Sequence, residues 1–319
     1  MFKAPLPILE IRNITKQFAL AGGKKLTAVD RVSLELYSGQ SLGIVGESGC
    51  GKSTLAKIIV RLDSVTTGHI FYENRDITQL KGEELRQNRK MMQMIFQNPS
   101  ASFNPRMKIG DTVCEPLLNF RLMNKRQAME EAKKLLEMVG LAEDFIGRYP
   151  HQLSGGQKQR AAIARALSLK PRILVCDEVT SELDVSIQAQ VIRLLVDFQK
   201  EKGLSYIFIG HDLALIRNIS HRIAVMYLGR IVEVIDSAVL CEKVAHPYTK
   251  ALLASVFPVR GEINTEIKII EGEPPSPVAL SGGCAFNSRC PLGTEKCSRE
   301  NPELIKVEAN HFVACHLCA

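Results

Sequence analysis

The run Gly46-Glu-Ser-Gly-Cys-Gly-Lys-Ser53 constrains this chain more than any other feature. It lies between a short apolar segment, Leu42-Gly-Ile-Val45, and a helical pattern that runs toward Leu62. Glycines at these positions let backbone N–H groups close around an anion where a Cβ would obstruct the approach. The helix N-terminus adds about half a positive charge aimed at the same point. Lys52 supplies a mobile cation for the outer phosphates, and the Ser53 hydroxyl suits Mg²⁺. The segment is therefore expected to bind phosphate.

Two further apolar runs, Ile173-Leu-Val-Cys176 and Tyr206-Ile-Phe-Ile209, resemble Leu42–Val45 in being short and non-alternating. Such runs suit strands buried on both faces, as in a parallel sheet covered by helices. Helical stripes are also legible, one through Met129, Ala132, Leu135, Leu136 and Val139, another through Ile187, Val191, Leu194, Leu195 and Phe198. These are read as core packing. The expected class is α/β with a helical insert around residues 100–155.

The second run ends in Asp177 and Glu178, two carboxylates at the carboxyl end of a buried strand, where open α/β sheets bind their ligands. Asp177 is placed to hold Mg²⁺, and Glu178 to take a proton from an attacking water. A second glycine-rich segment, Leu153-Ser-Gly-Gly-Gln157, precedes an alanine-rich helix expected from Arg160 to Leu169. With one nucleotide already provided for, a second cradle is best explained by closure over the nucleotide of another subunit.

Composition excludes several classes. The 319 residues are 45% hydrophobic and 24% charged, so neither disorder nor a fibrous repeat is expected. No uncharged apolar run approaches the ~18 residues of a membrane helix, and Met1–Arg12 lacks a signal-peptide core; a cytosolic chain is expected. The net charge of +7 is spread along the sequence and gives little support for a nucleic-acid partner. Of nine cysteines, Cys284, Cys290, Cys297, Cys315 and Cys318 crowd the C-terminal end, which in a reducing compartment points to metal or redox chemistry. Cys114, Cys176 and Cys241 read as ordinary interior residues. Cys50, inside the glycine loop at a helix N-terminus, is expected to have a depressed pKa. Glu271-Gly-Glu-Pro-Pro-Ser-Pro277 resembles a semi-rigid linker.

Taken in order, Gly46–Ser53 (a Walker A loop), the Leu153–Gln157 signature, Arg172–Glu178 (a Walker B strand), Ser181-Glu-Leu-Asp184 (a D-loop) and His211 resemble an ABC transporter ATPase over roughly residues 6–255. The resemblance implies a P-loop NTPase whose ATP is sandwiched between two nucleotide-binding domains. It implies phosphate contacts from Gly46, Glu47, Ser48, Gly49, Cys50, Gly51, Lys52, Ser53 and Thr54, and adenine stacking by Phe18. Ser53, Gln97 and Asp177 would hold Mg²⁺, while Glu178, His211 and Gln97 form the catalytic set. Ser154, Gly155, Gly156, Gln157 and Asp184 would serve the composite site. Two departures stand out: Val179 replaces the family's proline, and Glu182 adds a carboxylate to the D-loop.

Phe96–Arg106, His246–Leu253 and Gly283–Pro291 narrow the resemblance to oligopeptide/dipeptide importer ATPases, and Ala28–Ser33 with Leu36–Gly39 to their F-type subunit. That implies a D-type ATPase partner, two permeases, an extracytoplasmic binding protein and a peripheral place on the cytoplasmic face of the membrane. Nickel or metal-chelate importers of the same group are the alternative. DNA-maintenance relatives need a long insert between Lys52 and Ser154 that this chain lacks, so no nucleic acid is expected. The expected division is 1–255 for the ATPase and 256–319 for a Cys-rich extension. In that extension the resemblance favours a [4Fe–4S] cluster on Cys284, Cys290, Cys297 and Cys315, with Cys318 spare. Zinc, through the Cys315-His-Leu-Cys318 pair, and unligated thiols are the other readings.

Overall fold

The structure, a computed structural model, describes residues 6–180, 183–256, 272, 275–276, 278 and 282–318. It divides into two compact units. The first takes the chain up to Gln79 and again from Phe208; the second is Leu80–Ile207.

In the first unit, β1 (Leu9–Ala19) and β2 (Lys25–Leu36) form a long antiparallel hairpin. β3 (Ser41–Val45) follows and leads through the glycine loop into α1 (Lys52–Ile59). β4 (Thr67–Tyr72) and β5 (Arg75–Asp76) then complete a sheet of order β2-β1-β4-β5. β1 buries Leu9, Ile11 and Ile14, and its alternation slips at Arg12 and Asn13, both exposed, where the register with β2 shifts. β3 is buried at every position, as a strand covered on both faces should be.

The second unit opens with α2 (Gly82–Met91) and β6 (Met92–Ile95), followed by α3 (Ile109–Asn119), α4 (Lys125–Met138) and α5 (Gly155–Leu167). β7 (Ile173–Asp177) pairs parallel with β6, and α6 (Val185–Lys202) comes next. Ala132, Leu135 and Leu136 of α4 are buried, as are Ile109, Val113 and Leu117 of α3 and Ile163, Ala164 and Leu167 of α5. Their small and branched side chains let the three helices pack closely.

β8 (Ser205–Gly210), buried throughout, carries the chain back into the first unit. There α7 (Leu213–Ile219), β9 (Arg222–Tyr227), β10 (Arg230–Asp236), α8 (Leu240–Lys243) and α9 (Pro247–Val256) follow. The C-terminal segment adds α10 (Glu295–Arg299), β11 (Ile305–Glu308) and β12 (His311–Val313). β3 pairs parallel with β9, and the order β11-β12-β10-β9-β3 continues the sheet into the C-terminal strands. α7 lies so close to β3 that a Cβ on Gly43 would meet Ile216 Cγ2 at 2.2 Å.

This register docks the tail through a buried charge. Glu233 of β10 is fully buried and accepts from the backbone N–H groups of Ala245 (2.8 Å) and His246 (3.2 Å); its Oε1 lies 2.8 Å from His311 Nε2 of β12. No described helix is long and apolar enough to cross a membrane.

Candidate functional site

The phosphate loop leaves β3 at Gly46 and enters α1 at Lys52. Backbone packing dictates two of its glycines. A Cβ on Gly46 would stand 2.1 Å from the Met226 carbonyl oxygen. Gly51, the N-cap of α1, sits at φ +105°, and its Cβ would stand 2.1 Å from the Ala28 carbonyl oxygen. No side chain caps α1, so its first N–H groups are not claimed by a capping side chain. Buried Lys52 lays its ammonium across the loop, donating to the carbonyls of Gly46 (2.7 Å) and Glu47 (2.8 Å). Ser53, at the start of α1, and Ser48 are exposed, and Thr54 is half-buried.

Cys50 departs from expectation. It is 4% exposed, and burial pushes its pKa up, despite the opposing field of Lys52 whose ammonium lies 3.7 Å from Sγ. Burial of the thiol outweighs the pull that a helix N-terminus exerts on a thiolate. Phe18, on β1, is 37% exposed with the Lys16 ammonium 5.0 Å from its ring centroid. His211 is exposed at the end of β8, just before the Asp212 cap of α7.

The second unit carries the carboxylates. The parallel register pairs Ile95 with Cys176, so the two strands end side by side, and Gln97 and Glu178 emerge two residues beyond that pair. Gln97 Nε2 donates to Glu178 Oε2 at 2.7 Å. Glu178 is half-buried and sits at φ +47°, a left-handed conformation that a non-glycine side chain adopts at a cost of order 1–3 kcal/mol. Asp177 closes β7 and is 5% exposed. Val179 is buried, whereas Ser181 and Glu182 lie outside the described residues. Asp184 is the exposed N-cap of α6.

The signature helix begins at Gly155, five residues earlier than the expected Arg160, because Ser154 and Gln157 form a capping box. Ser154 N donates to Gln157 Oε1 (2.9 Å) and Gln157 N to Ser154 Oγ (3.3 Å). The spacing Ser-x-x-Gln is a legible helix start, and sequence reasoning passed over it. Gly155 faces open space, but a Cβ on Gly156 would meet Ile187 Cγ2 of α6 at 2.6 Å.

In the tail, Cys284, Cys290, Cys297 and Cys315 line one cavity with His246 and Phe286; Cys318 is not among its lining residues. Burial first, and the neighbouring thiols after it, raise the pKa of Cys284 and Cys290. As the side chains stand, however, no group of three or more His, Cys, Asp or Glu among the described residues is arranged to hold a metal ion. Cys114 and Cys176 are buried as expected, but Cys241 is exposed: it stands on the single turn of α8, whose Leu240 takes the buried position. The expected linker Glu271–Pro277 lies mostly outside the described residues.

Residues 29–181 match the ABC transporter family and residues 232–297 the oligopeptide/dipeptide transporter C-terminal region. The oligopeptide transport ATP-binding protein AppF of Bacillus subtilis is 46% identical over 97% of this chain and 97% of its own. OppF of Escherichia coli, also named an oligopeptide transport ATP-binding protein, is 45% identical over 97% and 95%. Among solved structures, the ATP-binding cassette MJ0796, dimeric with ADP and Pi in a post-hydrolysis state, matches with a TM-score of 0.66 and 31% identity. That match covers 72% of this chain and 98% of the other. The chain belongs to the ABC transporter ATP-binding family. The chain is an ATPase.

Proposed function

We propose that this chain is the ATP-hydrolysing subunit of an ABC importer for oligopeptides or dipeptides. The hydrogen bond between Gln97 and Glu178 carries the catalytic part of the reading, because it aims a carboxylate held in a strained conformation. The matched C-terminal region and the names of the relatives support the substrate class.

In this reading Phe18 stacks on adenine, and Gly46, Glu47, Ser48, Gly49, Cys50, Gly51, Lys52, Ser53 and Thr54 hold the phosphates. Lys52 exchanges the carbonyls it now meets for phosphate oxygens. The Ser53 hydroxyl, the buried Asp177 carboxylate and the Gln97 amide oxygen are hard oxygen donors of the kind Mg²⁺ takes. When bound, Mg²⁺ neutralises charge on the transferring phosphoryl group. Glu178 accepts the proton of the attacking water, and His211 orients that water. Ser154, Gly155, Gly156, Gln157 and Asp184 act across the interface on the ATP of a second, D-type ATPase.

Two permeases and an extracytoplasmic binding protein complete the importer, which places this chain on the cytoplasmic face of the membrane with no nucleic-acid partner. Residues 1–255 supply the ATPase, with its helical subdomain about 100–155, and 256–319 the extension. Val179, in place of the family's proline, is what favours a nickel or metal-chelate importer as second reading. In the tail, four thiols around one cavity support a [4Fe–4S] cluster on Cys284, Cys290, Cys297 and Cys315, with zinc as the alternative. Iron and acid-labile sulfide in anaerobically purified protein support the cluster; one equivalent of zinc without them overturns it.

Glu178→Gln tests the whole assignment. Hydrolysis is expected to fall by ~10²–10⁴-fold, the contribution of a positioned general base, while ATP binding persists and an ATP-bound dimer accumulates in size-exclusion chromatography. Hydrolysis at the parental rate would remove Glu178 as the base.

A further inference from the structure

One charged contact in the first unit ties the C-terminal segment to the phosphate loop, far away in sequence. Arg289 of the C-terminal segment donates through Nη1 to both carboxylate oxygens of Glu47 in the phosphate loop, at 3.1 and 2.9 Å. The Arg289 side chain is 7% exposed and that of Glu47 25%, so solvent screens the pair far less than a surface ion pair.

The geometry of the arm explains why Arg289 reaches this point. Asn287–Arg289 is a single 3₁₀ turn, in which side chains three apart eclipse. Phe286 and Arg289 therefore share a face. Phe286 is 2% exposed and packs among Tyr227, Tyr248 and His246, with ring centroids 5.2, 5.4 and 5.9 Å away. Tyr227 also turns its hydroxyl to Arg289, which donates to it at 3.3 Å. With its base anchored in this way, the guanidinium has little freedom to leave Glu47.

Glu47 is held at three groups. Its carboxylate takes Arg289, its N–H donates to the Tyr248 hydroxyl at 3.0 Å, and its carbonyl accepts from Lys52 Nζ at 2.8 Å. We infer that Arg289 is a positioning residue for the phosphate loop, fixing Glu47 and through it Lys52, so that the Cys-rich tail sets the affinity of the chain for ATP. This rests on the phosphate-binding reading of the loop.

The test is equilibrium binding of a fluorescent ATP analogue with Mg²⁺ to the full chain. Arg289→Gln is expected to raise the Kd by 5–20-fold, and Arg289→Lys by less, since an ammonium keeps the charge. In a Glu47→Gln background, Arg289→Gln should change the Kd by less than twofold, because its effect passes through that carboxylate. Amide exchange at Ser48–Lys52 should speed up in Arg289→Gln; a tail that merely loosened would speed exchange only at residues 284–318. An unchanged Kd in either Arg289 variant, or an equal loss in both Glu47 backgrounds, overturns the inference. Should Arg289→Gln not fold, Arg289→Lys in the two Glu47 backgrounds decides by the same criterion. Failure of the parent chain to bind the analogue would instead overturn the reading of the loop itself, and the inference with it.

Discussion

The two glycine-rich helix starts of this ABC ATPase look alike in sequence and differ in construction. At Gly46–Ser53 two glycines, Gly46 and Gly51, are imposed by the backbone around them, and α1 has no capping side chain. Its N-terminal N–H groups are therefore uncapped by side chains, and Lys52 folds back over the loop onto the Gly46 and Glu47 carbonyls. At Ser154–Gln157 the helix caps itself, with the Ser154 and Gln157 side chains each taking a backbone N–H of the other. No cation comparable to Lys52 stands within those four residues. Glycine in the first loop thus serves conformation and close approach, while in the second Gly156 serves packing and Gly155 leaves a surface bare. Resemblance of glycine content is a poor guide to resemblance of chemistry; the caps separate the two.

The largest effect that would sharpen this contrast is expected at Gly51. An alanine there puts a Cβ 2.1 Å from a backbone oxygen and leaves a β-carbon at φ +105°. Strain and overpacking of this kind cost roughly 2–4 kcal/mol. Since the loop is the part able to yield, Gly51→Ala should weaken ATP binding by about a hundredfold, which corresponds to ~3 kcal/mol. Calorimetric titration with ATP measures it. Binding within threefold of the parent would mean that β2 yields instead and that the glycine is not a conformational requirement.

Much of this construction could be read beforehand. The buried strands β3, β7 and β8 announced themselves as continuous apolar runs, and the Gln97 and Glu178 positions followed from motif order. What stayed hidden depends on distant segments meeting. Nothing local to Arg289 points to Glu47, since a lone arginine in a cysteine-rich stretch reads as a solvated charge. Nothing beside Glu233 in the run Ile231-Val-Glu-Val-Ile235 accounts for its burial, which makes sense only once Ala245, His246 and His311 supply its partners. The Cys50 thiol failed for a related reason: helix polarity is local and legible, whereas the burial that overrides it comes from the surrounding fold.

The smaller effects separate the neighbouring glycines of the second start. Gly156→Ala forces a Cβ to within 2.6 Å of Ile187 Cγ2, and the loss should be ~1–3 kcal/mol of unfolding free energy, read as a lower denaturation midpoint. Gly155→Ala adds its Cβ to open space at a first helical position, where alanine restricts the unfolded chain more than glycine. Its expected effect on the isolated chain is at most ~1 kcal/mol, and in the stabilising direction. If Gly155 is bare because another subunit's nucleotide must approach it, the same variant should bind ATP as the parent does yet lose ATP-dependent dimerisation and hydrolysis. A Gly155→Ala chain that is stable, binds ATP and also hydrolyses it at the parental rate would show that the second start is only a helix cap, and the contrast between the two loops would then reduce to one site and one piece of scaffold.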